Sequence, residues 1–230
     1  MNWTTRYKKA VTFSYDDGVL QDNKLIEILN RYGLKCTFNI NTNLGHPHGS
    51  FKIEDLMIHR YQMTDLISLY KSHEIASHTL NHFDLTNITN EEVIKEIKED
   101  MDNIEKIFHD IPTGFVYPFG LYNPEMKETL KSLGVQYART INSNHSFDLQ
   151  TDLLEYRPTC HHNDPLIFEL IQRFLSSDSD SPQIFYIWGH SYEYDVDGNW
   201  DLFERICQKL ANHPDVFYGT NKEVLLNEID

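Results

Sequence analysis

The chain has 230 residues, 40% of them hydrophobic and 24% charged. That balance is ordinary for a globular protein and excludes disorder, collagen or coiled coil as whole-chain descriptions. The formal net charge is −15, from 20 Lys and Arg against 35 Asp and Glu. Such acidity argues against a nucleic-acid binder, which needs a basic face to neutralise phosphates, and against docking on anionic lipid. The longest strongly apolar run, near residues 184–188, is far short of the ~20 residues of a membrane span. Cys36, Cys160 and Cys207 are odd in number and widely spaced, with no CxxC pair, so three reduced thiols are expected. The amino terminus runs straight toward a strand pattern with no signal-peptide core before it, and the expected location is cytoplasmic. The length suits a single domain over residues 1–230.

Strand-like and helix-like segments alternate along the chain. Residues 10–15 (AVTFSY) read as a strand ending in Asp16-Asp17-Gly18. Residues 21–32 carry apolar side chains at helical spacing, with Gly33 as a C-cap. Residues 35–40 are the next strand, 64–70 a helix and 74–77 a short strand. The clearest helix is 90–108, where Val93, Ile94, Ile97, Met101, Ile104 and Phe108 follow a 3.6 period. A strand at 114–117, a helix at 124–133 and short strands at 136–138 and 156–159 follow. Then come a helix at 165–175, a strong strand at 183–188, a helix at 201–210, a strand at 216–218 and a last helix at 222–229. Repeated strand–helix units imply a parallel sheet or barrel. Residues 41–61, 142–154 and 176–182 fit no element. The first contains His46-Pro47-His48-Gly49 and is long enough to be a binding loop.

Chargeable residues gather where the strands end. Asp16 and Asp17 end the first strand, Ser77-His78-Thr79-Leu80-Asn81-His82 the third, Pro118-Phe119-Gly120 that at 114–117, and Gly189-His190 that at 183–188. In barrels the carboxyl ends of the strands build the active site. His78 and His82 are at i and i+4, which on one helical turn points both imidazoles the same way and suits a divalent metal. Two histidines and a carboxylate make a facial site with open positions. Strand alternation sends Asp16 and Asp17 in different directions, so one can bind metal while its neighbour faces substrate.

These residues resemble a known family. Phe13-Ser14-Tyr15-Asp16-Asp17-Gly18 is similar to the first motif of the polysaccharide deacetylases, the NodB-homology domains of carbohydrate esterase family 4. Ser77-His78-Thr79-Leu80-Asn81-His82 resembles the second motif and Tyr117-Pro118-Phe119-Gly120 the third, while Ile187-Trp188-Gly189-His190 stands in the place of the fifth. The resemblance implies a distorted (β/α) barrel of about seven parallel strands and metal-dependent hydrolysis of an N-acetyl group on a carbohydrate. By motif position it implies that Asp17, His78 and His82 hold the metal, zinc in most members, with cobalt or nickel as alternatives. It implies Asp16 as general base, His190 as general acid and the Phe119 backbone N–H as an oxyanion donor.

Trp188 and Tyr192 flank His190 and suit a sugar ring or an acetyl methyl; Glu193 is read as an orienting group for His190 or a surface acid. The third motif of the family often carries an arginine two residues before its proline, where this chain has Val116. Arg157, near a strand end, is expected to replace it by reaching Asp16, or to bind the sugar. The fourth motif is not visible, and Tyr156-Arg157-Pro158-Thr159-Cys160-His161-His162 stands in its region. The expected partner is an N-acetylated carbohydrate substrate, with no nucleic acid, membrane or obligate protein partner. Two rival readings are a C–N hydrolase of small linear or cyclic amides on the same fold and a catalytically silent glycan-binding domain.

Overall fold

The computed structural model describes residues 2–45 and 48–227, and strand–helix units alternate through them. Strand β1 (Lys9–Asp16) leads to α1 (Asp22–Arg31) and β2 (Cys36–Ile40). A hairpin of β3 (Phe51–Ile53) and β4 (Leu56–Ile58) precedes α2 (Met63–Leu69), β5 (Glu74–Ser77) and the long α3 (Asn90–Phe108). Next come β6 (Gly114–Val116), α4 (Pro124–Ser132), β7 (Tyr137–Arg139) and β8 (Cys160–His161). The chain ends in α5 (Ile167–Ser176), β9 (Gln183–Gly189), α6 (Glu193–Val196), α7 (Trp200–Leu210), β10 (Val216–Tyr218) and α8 (Asn221–Leu225).

Seven strands pair in parallel in the order β7-β6-β5-β2-β1-β9-β8. β10 pairs with residues 9–11 of β1, and β2 pairs with residues 13–16. β1 therefore has neighbours along both edges, and all eight of its residues are buried. The strands curl into a half-barrel, and residues 156–161 cross the remaining gap. Tyr156 bridges Arg139 at the end of β7, the Thr159 N–H donates to the Tyr186 carbonyl, and β8 pairs with β9. That irregular crossing deforms the barrel, as the sequence resemblance implied. The strand expected at 156–159 is displaced to Cys160–His161.

Period-two alternation separates two environments. Val11, Phe13 and Tyr15 of β1 join Leu25, Leu29, Phe203 and Ile206 in the apolar layer beneath α1 and α7. Cys36, Cys160 and Cys207 are buried unpaired in the same layer. Thr12, Ser14 and Asp16 meet polar partners instead: Asn221 at 2.8 Å, Asn39 at 2.9 Å and Arg139 at 2.6 Å, respectively. Each buried polar side chain that β1 sends to the face carrying Asp16 is thus hydrogen-bonded.

α3 matches its predicted span. A capping box of Thr89 and Glu92 starts it, and His109 in the left-handed conformation ends it. Its buried face includes Asp100, which accepts from the Ser77 hydroxyl at 2.6 Å and from the Thr42 N–H at 2.8 Å. The helix thereby pins the end of β5, the residue before His78.

Two local expectations change. Residues 78–82 form an irregular turn, not a helical one. Thr79 and His82 have φ of 69° and 56°. The Asn81 N–H donates to Glu96 of α3 at 2.8 Å, and the His82 N–H to the Thr79 hydroxyl at 3.0 Å. Residues 41–61, unassigned in the sequence, contain the β3–β4 hairpin; His46 and Pro47 lie outside the described residues, as do residues 228 and 229 of the expected last helix. Among the described residues no helix is long and apolar enough to cross a membrane.

Candidate active site

The carboxyl ends of β1, β5, β6 and β9 open into one cleft of about 610 Å³. Asp16, Asp17, His78, His82, Phe119, Trp188, His190 and Tyr192 all line it. The strand-end logic of the sequence therefore brings together eight of the nine predicted site residues.

Ligand atoms of Asp17, His78 and His82 all lie within 4.8 Å of one another. The irregular turn converges the two imidazoles as well as a helix would, with ring centres 4.6 Å apart. His78 Nδ1 lies 2.9 Å from the Val116 carbonyl oxygen and donates to it, which leaves the Nε2 lone pair free. Burial and the adjacent His82 push the His78 pKa down to about 4. Burial also lowers His82, against the pull of Asp17. Burial opposes charge on Asp17, but Arg60 and the nearby histidines outweigh it and hold its pKa at about 2. One carboxylate and two neutral imidazoles thus face each other near neutral pH. This donor set fits a zinc-like divalent ion.

Asp16 is held from another side. A guanidinium nitrogen of Arg139, at the end of β7, reaches both carboxylate oxygens, Oδ1 at 2.6 Å. Asn39 Nδ2 donates to the same Oδ1 at 2.8 Å. Burial raises the carboxyl pKa, but Arg139 together with His78 and His190 outweighs it, and the net shift is below the ordinary carboxylate value. Arg139 also lies over the Trp188 ring, 4.6 Å from its centre. The arginine absent at Val116 is therefore supplied by Arg139. Arg157 does not reach Asp16. Tyr156 turns inward at the seam, so the next side chain faces outward. Arg157 pairs with Glu155 at 3.0 Å, lies outside the cleft, and lines a separate surface depression with Gln150 and Asp152.

Nε2 of His190 is 3.9 Å from Asp16 Oδ2, and its Nδ1 is 3.4 Å from Glu193 Oε1. Glu193 is no mere surface acid. Its Oε2 lies 3.1 Å from Nε2 of both His161 and His162 and accepts from the His190 N–H at 3.2 Å. The Asn163 N–H donates to His161 Nδ1 at 3.2 Å, which leaves the ring proton on Nε2, the atom that faces Glu193. Burial disfavours a charged His190, but Glu193, Asp16 and Asp17 outweigh it and raise its pKa to about 9. Gly189 makes room for this cluster, because a Cβ there would meet His162 Nδ1 at 1.9 Å.

Phe119 has a left-handed backbone, φ 57°, in the turn after β6, and its ring meets His82 edge-on at 4.7 Å. Trp188 and Tyr192 form the wall beside His190. The β3–β4 hairpin adds Phe51 to that wall, its ring packed edge-on at 5.4 Å from that of Tyr192.

A family model described as polysaccharide deacetylase matches residues 4–138. The chain belongs to the polysaccharide deacetylase family. It is 28% identical over 135 residues to YxkH of Bacillus subtilis (strain 168), a protein assigned to the polysaccharide deacetylases; the match covers 58% of this chain and 45% of YxkH. It is 30% identical over 129 residues to an Arthroderma benhamiae protein assigned as a peptidoglycan-N-acetylglucosamine deacetylase, covering 55% of this chain and 27% of that one. The chain thus spans less than half the length of these curated relatives. The fold matches a Mycobacterium smegmatis crystal structure assigned to the same family over 99% of this chain and 92% of that one, with a TM-score of 0.70 and 16% identity. The family model ends at residue 138, and the fold match continues past it through β9.

Proposed function

We propose that this chain is a metal-dependent hydrolase that removes N-acetyl groups from a carbohydrate. The observation that carries this reading is the convergence, in one cleft, of a possible Asp17–His78–His82 metal set with two oppositely tuned groups, Asp16 beside Arg139 and His190 beside Glu193. The family supports it. Carboxylate and imidazole donors favour zinc, with cobalt or nickel as substitutes.

A divalent ion held by Asp17, His78 and His82 would polarise the acetyl carbonyl and acidify water. Asp16, ionised by its arginine, accepts the proton of the attacking water. His190 carries the proton that the departing amine needs, since an amide nitrogen leaves only when protonated. The Phe119 N–H, in the left-handed turn after β6, donates to the oxyanion that develops on the acetyl oxygen. Trp188 and Tyr192 receive the acetyl methyl or a face of the sugar.

The test is acetate release from an N-acetylated chito-oligosaccharide. Zinc-loaded protein should release one acetate per new free amine, and chelation should abolish the reaction. Asp16→Asn should retain the metal and lose about 10²–10⁴-fold in rate. Ureides and simple amides cleaved in preference to the N-acetyl sugar would redirect the reading to small-amide hydrolysis.

A further inference from the structure

Arg60 follows the β3–β4 hairpin and is 5% exposed. Every nitrogen of its guanidinium is committed. Nη2 donates to Asp17 Oδ1 at 2.9 Å; Nη1 donates to the Asp17 carbonyl at 2.9 Å and to Asn41 Oδ1 at 2.6 Å; Nε donates to the Gly49 carbonyl at 3.2 Å. Asn41 passes the connection on. Its Nδ2 donates to the His78 carbonyl and, at 2.9 Å, to the Thr79 carbonyl. One buried cation therefore joins the aspartate end of β1 to the turn that bears both histidines. It also closes the hairpin onto them, with its guanidinium over the Phe51 ring, 5.4 Å from the centre.

We propose that Arg60 is the positioning residue of the Asp17–His78–His82 centre, so that metal affinity and the order of the cleft-wall hairpin are coupled through it. The inference rests on the proposed metal reading and adds a residue that no strand-end motif contains. Groups that orient a metal ligand typically contribute 10–100-fold to metal affinity. Where Arg60 raises the metal affinity of Asp17, a metal bound there must favour the arrangement Arg60 holds by the same factor, because coupling between two sites is reciprocal.

The test begins with metal-free protein titrated with zinc against a chromophoric chelator, with amide hydrogen exchange followed in residues 51–58. In the wild type, zinc should slow exchange across the hairpin. Arg60→Met should bind zinc 10–100-fold more weakly, and zinc should no longer protect the hairpin. Arg60→Lys should fall between, since it restores the charge on Asp17 but not the fork to Asn41, and it serves as the reporter should Arg60→Met fail to fold. Unchanged zinc affinity in a folded Arg60→Met or in Arg60→Lys, or zinc protection of the hairpin that persists without the arginine, would overturn the proposal. A wild-type protein that takes up no zinc would contradict the metal centre itself, a separate failure.

Discussion

Asp16 and His190 share one cleft, yet their surroundings drive them toward opposite protonation tendencies. Arg139 favours the carboxylate, and Glu193 favours the imidazolium. Each tuning group gives a pH prediction. Removing Arg139 raises the pKa of Asp16, so in Arg139→Met the acid limb of the kcat/KM profile should move to higher pH. The same change leaves a buried carboxylate without its cation and should cost about 3–5 kcal/mol of stability, measured by urea unfolding. Arg157→Met should leave the acid limb where it was. Glu193→Gln should lower the pKa of His190 below its value of about 9, so the basic limb should move to lower pH. Asp16, Asp17, His78, His82 and His190 were legible because each stands beside a strand end that the pattern of apolar residues locates. Arg139 was not, although the signal was one residue away: the strand expected at 136–138 runs on to Arg139. Its contact with Asp16 spans 123 positions of sequence and depends on which strands face each other across the barrel. Side-chain periodicity reports faces and not neighbours.

At the scale of elements, the strands supply position and the connections between them supply tuning. α3 was readable because its apolar residues keep a 3.6 period over nineteen residues, and the Thr89–Glu92 capping box begins it where the period does. The β3–β4 hairpin was not, since three-residue strands are too short to display a period, and its burial pattern alternates weakly. His78 and His82 converge for a different reason from the one their spacing suggests. Positive φ at Thr79 and His82, with Glu96 and Asn41 holding the turn, does the work expected of a helix. The end of β9 gives a sharper prediction. Gly189→Ala would drive a methyl into His162, which is fully buried against Tyr15 and Tyr194. It should cost about 1–3 kcal/mol by overpacking, read as a lowered urea midpoint. It should also disturb Glu193 and therefore slow the reaction even at temperatures where the protein remains folded.

For the whole molecule, the half-barrel explains why such distant residues meet. Each parallel strand delivers its carboxyl end to the same rim, and the irregular seam at 156–161 brings His161 and His162 to the same rim to hold Glu193. The charge of −15 is spread over a chain whose cleft balances Asp16 and Asp17 against Arg139 and Arg60. That balance is local, and on the proposed reading a divalent ion would add positive charge where the acetyl oxygen is stabilised. The most direct measurement of the central claim is metal content and acetate release on one sample. Metal-free protein should be titrated with zinc while acetate release from an N-acetylated chito-oligosaccharide is followed, with His78→Ala in parallel. Activity should rise with zinc to a plateau at one equivalent, and His78→Ala should neither retain zinc nor release acetate. Full acetate release by metal-free wild type, or by His78→Ala, would contradict the claim.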